Sequence, residues 1–279
     1  MALSPRTPAV QLFVVGPPRS GLTIVTQFLN RHRDVVIFDE IDLLQIDRFG
    51  GRPLGTLHAF LAERGVLNTY QRRARETGDP AAALRSVMGI VTRPRTIWGE
   101  KNPRYATGLA ALRRCFPGAV VLFVLRDPRE IVNSCLRHRD SPVRSDADFW
   151  IKDTVTDALT QVERHLEPVH SGAADVVVLR YEAFTARPTA ALAAALGRWG
   201  LTPANGVASL THPAPETVGD HQFFRDGAAL PWKAANLRPL LPNRPAGDRV
   251  DAGDPAWDHV EALARRFGYG GAAPTRAVR

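Results

Sequence analysis

The chain alternates short, wholly apolar runs with longer stretches in which apolar residues recur every three or four positions. QLFVV (Gln11 to Val15) stops at Gly16 and reads as a buried strand entering a turn. Ile24, Val25, Phe28 and Leu29 then fall at helical spacing and predict a helix over Thr23 to Arg31. Val35 to Phe38 is a second short strand, Thr96 to Gly99 a strand end, AVVLFVL (Ala119 to Leu125) the clearest buried strand, and DVVVL (Asp175 to Leu179) another. Helices are predicted over Ala106 to Phe116, where Pro117-Gly118 stops the pattern, from Pro128 or Arg129 onward, over Phe149 to about His165, and over the alanine-rich Pro188 to Trp199. Residues 41–95 carry helices around Leu57 to Arg64 and Tyr70 to Glu76 and read as an inserted helical lobe. Beyond Gly200 the chain is rich in Pro and Gly and shows no periodicity.

Strands that alternate with helices imply a parallel sheet covered on both faces. In such sheets ligands bind outside the carboxyl ends of the strands. The polar motifs of this chain sit at those ends.

Composition narrows the setting. The 279 residues suit one substantial domain, taken as 1–279. No apolar run is long enough for a membrane-spanning helix, and MALSPRTPAV lacks the charged start and long apolar middle of a signal peptide. Cys115 and Cys135 lie in apolar stretches and read as buried thiols, so a cytoplasmic protein is expected. The net charge of +8 comes from scattered arginines, and lysine occurs only at 101, 152 and 233. No window forms a basic arm or an aromatic-interleaved patch, which argues against nucleic acid; a pocket for a small polyanion explains the surplus equally well. None of the eight histidines has metal-ligand spacing, so no metal site is expected. The sequence fixes no oligomeric state.

Gly16-Pro17-Pro18-Arg19-Ser20-Gly21-Leu22-Thr23 follows a strand and opens a helix. Amides of such a loop and of the helix start point at an anion, and the Ser20 and Thr23 hydroxyls can add donors. Nucleotide kinases place a lysine before the final Ser/Thr; Leu22 stands there in this chain, and the loop's cation is Arg19. About a hundred residues on, Arg126-Asp127-Pro128-Arg129 ends the strongest strand, with Ser134 eight residues after Arg126 on the following helix.

Pro18-Arg19-Ser20-Gly21-x-Thr23 resembles the 5'-phosphosulfate loop of sulfotransferases that use 3'-phosphoadenosine-5'-phosphosulfate (PAPS), and Pro18 to Glu40 is most similar to the tyrosylprotein and bacterial branches. Leu22 and Arg33 depart from that family's usual Thr and Pro. The resemblance implies a P-loop-type central parallel sheet flanked by helices, with 41–95 as acceptor-binding insertion. It implies PAPS and its product PAP as ligands, Pro18 to Thr23 around the 5' side, and Arg126 with Ser134 on the 3'-phosphate. Tyr181, in Val178-Leu179-Arg180-Tyr181-Glu182, is expected near the nucleotide, and Lys233 resembles part of a C-terminal loop closing over it.

Sulfuryl transfer needs a base for the acceptor hydroxyl and cations on the leaving oxygen. Glu40 lies seventeen residues after Thr23, just past the second strand, and matches the glutamate base of the tyrosylprotein branch. Asp39 is its rival; on an extended chain the two would point to opposite sides. Lys101, after the strand end in Trp98-Gly99-Glu100-Lys101-Asn102-Pro103, resembles a lysine beside the reacting groups and would act with Arg19 on the leaving oxygen. The expected activity is O-sulfation of a small molecule or glycan by a soluble, metal-free enzyme. A lysine-less P-loop kinase and an inactive PAPS/PAP-binding protein are the alternatives.

Overall fold

The computed structural model describes residues 10–30, 35–93, 97–139, 150–173, 175–198, 224–225, 228–229 and 249–270. Five strands, β1 (Val10–Val15), β2 (Val35–Asp39), β3 (Ile97–Lys101), β4 (Val120–Leu125) and β5 (Val176–Arg180), form one parallel sheet in the order β2-β3-β1-β4-β5. The register pairs Asp39 with Lys101, and Leu125 with Arg180, so the polar motifs finish along one edge of the sheet.

Strand alternation divides the core into two layers. Leu12 and Val14 of β1 face one side, where α1 (Leu22–Asn30), α9 (Tyr181–Ala186) and α10 (Pro188–Gly197) bury Val25, Phe28, Phe184, Leu192 and Leu196. Phe13 and Val15 face the other. That side carries α2 (Gln45–Arg48), α3 (Gly55–Glu63), α4 (Leu67–Thr77), α5 (Pro80–Val91), α6 (Leu109–Cys115), α7 (Pro128–Leu136) and α8 (Val155–His170). This is the expected α/β arrangement. Both cysteines are free and buried. Among the described residues no helix is long and apolar enough to cross a membrane.

Several elements differ from the pattern-based reading. The lobe gains α5, which starts where Asp79 caps the Ala82 amide and Pro80 takes the first helical position. The stretch Ala106 to Phe116 is a 3-10 turn (Pro103–Thr107) capped by Asn102, followed by α6. The helix expected from Phe149 starts at Val155, because Thr154 caps the Asp157 amide; it runs past Pro168 to His170. Residues after 200 are not without periodicity: α11 (Ala256–Arg266) buries Trp257, Val260, Leu263 and Ala264 at helical spacing and packs on α7 and α8. Full burial of such a large apolar side chain stabilises by about 1.5–3 kcal/mol. A short antiparallel pair, β6 (Phe224–Arg225) with β7 (Ala228–Ala229), lies against α3.

Candidate active site

Two groups of polar residues gather at the carboxyl ends of the strands. The first is built on the loop between β1 and α1. Pro18 and Ser20 are buried, and Arg19 takes a left-handed backbone with φ of 71°. That turn is held by Arg126, whose guanidinium donates to the Arg19 carbonyl at 3.0 Å. Gly21, with φ of 96°, lies under the Tyr181 ring; a Cβ there would stand 2.2 Å from a ring carbon, so only glycine fits. Leu22 faces the apolar layer beside α1, leaving its amide, not its side chain, for an anion, and Thr23 is half-buried on the first turn.

The loop meets the second predicted motif directly. Asp127 caps α7 by accepting from the Arg129 amide at 2.9 Å, which sets Ser134 two turns into the helix. Arg19 Nε donates to Ser134 Oγ at 3.0 Å, across 115 residues of sequence. The Arg19 guanidinium also stacks over Trp150 at 4.4 Å, and Trp150 meets His138 edge-on at 5.1 Å. Arg126 lies 5.1 Å from the Tyr181 ring centre and pairs with Glu130 at 3.3 Å. Burial lowers the Arg19 guanidinium from its ordinary value, and neighbouring Arg126 adds to that pull while Cys135 opposes it.

Two buried polar atoms here, Ser20 Oγ and Arg126 Nε, have no hydrogen-bond partner among the described residues. Orphaned donors at a buried site are costly unless a ligand satisfies them. Their chemistry, a hydroxyl and a guanidinium flanking Arg19, fits an oxyanion such as a phosphate.

The second group centres on β3. Lys101 is the last residue of that strand rather than part of the following loop, and it is buried. Its ammonium donates to Glu40 Oε1 at 2.6 Å and pairs with Asp39 as well. Asp39 and Glu40 therefore do not point apart, contrary to the strand-based expectation. β2 ends at Asp39, and Glu40 adopts φ of 52°, which breaks the alternation and brings both carboxylates to one ammonium. Burial alone would lower the Lys101 ammonium, but Asp39 and then Glu40 outweigh it and hold it above its ordinary value. The two acids differ in access: side-chain exposure is 3% for Asp39 and 32% for Glu40.

The neighbouring Glu100 is fully buried on the other face of β3. Its carboxylate accepts from the amides of Asp42 (2.7 Å) and Leu43 (2.9 Å), from Asn102 Nδ2 (3.1 Å) and from the Tyr105 hydroxyl (2.6 Å). Burial pushes the Glu100 carboxyl up to about 7, against the pull of Tyr105 and the Leu43 amide. Glu100 and Lys101 thus grip the 39–43 turn from opposite faces.

The contacts join Arg19, Arg126, Ser134 and Tyr181 in one cluster, and Glu40, Asp39 and Lys101 in another. Lys233 lies outside the described residues. Sequence reasoning assigned no role to Glu100, Tyr105 or Trp150. Alternation along β3 would have set Glu100 opposite Lys101; Trp150, sixteen residues past Ser134, carried no local signal. Among the described residues no group of three or more His, Cys, Asp or Glu could hold a metal ion.

Known proteins share this fold. Among solved structures, the sulfotransferase domain of the Synechococcus PCC 7002 olefin synthase aligns with a TM-score of 0.50 at 16% identity, covering 98% of this chain and 92% of that one. The sulfotransferase domain from the curacin biosynthetic pathway aligns at 0.51 and 16%, covering 98% and 94%. At such identity the likeness concerns the fold. No curated protein sequence matches the chain. The family model described as "Sulfotransferase family" matches residues 11–204, more than half of the chain, and the protein belongs to that family.

Proposed function

We propose that the protein transfers the sulfuryl group of PAPS to an acceptor hydroxyl, releasing PAP, with Glu40 as general base. The observation that supports this most is the Arg19–Ser134 hydrogen bond of 3.0 Å. It makes the 5'-phosphosulfate loop and the 3'-phosphate pair neighbours, and a nucleotide bearing both phosphates is the ligand that needs both.

When bound, PAPS supplies the activated sulfuryl group and a phosphate as leaving group. Ser20 and Thr23, with the loop amides, hold the 5' side; Arg126 and Ser134 hold the 3'-phosphate, and Tyr181 packs beside them. Charge-assisted hydrogen bonds of this kind contribute about 1.5–3 kcal/mol each. Glu40 takes the proton of the acceptor hydroxyl. It suits that role better than Asp39 because it is the accessible one of the pair. Asp39 serves as buried counter-ion to Lys101. Among the described residues two carboxylates engage the Lys101 ammonium, and its third hydrogen would serve the leaving oxygen. Arg19 lies across both phosphates and screens their charge.

The lobe α2 to α5 begins directly after Glu40 and is our candidate for the acceptor-binding wall. Two buried free cysteines suit a cytoplasmic setting, which favours a small molecule or glycan over a secreted protein. Incubation with sulfur-35 PAPS and a panel of phenols, alcohols and sugars tests the reading. Labelled sulfate should pass to an acceptor and should continue to do so in EDTA. Transfer of phosphate from ATP, lost in EDTA and restored by Mg²⁺, would instead show a kinase.

A further inference from the structure

The family match ends at residue 204, yet residues 249–270 are fastened to the 3'-phosphate motif at several points. Glu182 sits at the centre. One of its oxygens accepts from the Asp127 amide at 3.0 Å, the peptide just after Arg126. Its other oxygen accepts from the Tyr269 hydroxyl at 3.0 Å. The Tyr269 ring lies 4.8 Å from the Arg180 guanidinium, which donates to the Phe267 carbonyl at 2.8 Å. Gly268, with φ of 79°, makes this approach possible: a Cβ there would stand 3.1 Å from the Arg180 guanidinium. Arg129 closes the ring. It binds the Asp127 carboxylate, the Tyr269 carbonyl at 3.2 Å and Glu261 of α11 at 3.3 Å. Further along α7, Asn133 accepts from the Val250 amide at 2.9 Å, one residue before Ser134.

Resting on the PAPS reading, we infer that Tyr269 and Glu182 are positioning residues for the nucleotide: the C-terminal clasp holds the Asp127 peptide so that Arg126 and Ser134 meet the 3'-phosphate. The geometry favours this over a purely structural tie. Glu182 is an ionisable side chain satisfied by one backbone amide and one tyrosine hydroxyl, and the amide belongs to the residue between Arg126 and the start of α7. Loss of the hydroxyl frees the carboxylate to turn, and the Arg126 backbone loses its stop. Neither Tyr269 nor Glu182 need touch the nucleotide for this.

Calorimetric PAP binding tests it, with the full chain and with melting temperature as a folding control. Tyr269→Phe keeps the ring over Arg180 and removes only the hydroxyl. It should weaken PAP by about 3- to 10-fold, the equivalent of one hydrogen bond. Glu182→Ala should weaken it at least as much, and Glu182→Gln, which keeps an oxygen for the Asp127 amide, should recover most of the loss. In an Arg126→Ala background Tyr269→Phe should change PAP affinity by no more than about twofold, because coupled residues do not add. Wild-type affinity in Tyr269→Phe, or an equal loss with and without Arg126, would overturn the inference. A wild-type protein that does not bind PAP would sink the underlying reading, and the inference with it.

Discussion

The loop-and-α7 cluster and the β3 cluster treat their polar groups in opposite ways. Around Arg19 and Arg126, cations stand side by side, and Ser20 Oγ and Arg126 Nε are buried without partners among the described residues. Around Lys101, the polar groups are engaged with one another: one ammonium meets two carboxylates, and Glu100 accepts from four neutral donors. A region that keeps its hydrogen-bonding capacity open is built to take up a ligand. A region that uses it internally is built to hold a side chain in one geometry. On the proposed function, the first region would bind the donor and the second would orient groups for the chemistry.

The largest expected effect tests the second region. Glu40→Gln keeps shape and removes the proton acceptor, so turnover at saturating PAPS should fall by ~10²–10⁴-fold. An alcohol acceptor should suffer more than a phenol, whose proton leaves more readily. Near-normal turnover would move the base elsewhere on the 39–43 turn or into the lobe.

Asp39→Asn probes the same ammonium from its buried side. Removing one partner of a buried ion pair costs about 3–5 kcal/mol, and with Glu40 still in place the low end is expected. A urea unfolding midpoint reads this directly. The half-exposed Glu40 should be far less costly to stability when changed to Gln, so the two variants should separate stability from rate. Equal stability in both would mean that Asp39 is not the counter-ion.

A smaller effect concerns pH. The Glu100 carboxyl is raised from 4.5 to about 7, so the folded protein holds that proton more tightly than the unfolded chain. Its stabilising contribution is complete below about pH 4.5, declines as pH rises toward 7 and is gone above it. The whole change is at most about 3 kcal/mol. Subtracting the pH–stability curve of Glu100→Gln from that of wild type should give that slope; parallel curves would contradict it.

Much of this was legible in the sequence. The uniform runs at 11–15, 119–125 and 175–179 are strands because parallel strands are covered on both faces and need no alternation. The turn between β1 and α1 and the strand end before Arg126 were legible from the glycines and the apolar runs, whereas Arg126 and Ser134 were singled out through the family resemblance. Other features lacked a local signal. Glu40 and Asp39 converge because of one left-handed residue, and nothing in Phe-Asp-Glu-Ile requires it. The C-terminal helix follows a long Pro- and Gly-rich stretch that hides its spacing of Trp257, Val260 and Leu263. The Glu182–Tyr269 contact joins residues 87 positions apart, and only the tertiary fold creates it.

The division between binding and chemistry is tested most directly by measuring two quantities on two variants: the PAP dissociation constant and the single-turnover rate at saturating PAPS, for Arg126→Ala and Glu40→Gln. Arg126→Ala should weaken PAP by about 1.5–3 kcal/mol, leave adenosine 5'-phosphosulfate nearly unaffected and keep most of the saturated rate. Glu40→Gln should lose the rate and keep PAP affinity. If each variant lowers both quantities together, the two clusters are one functional unit and the division is wrong.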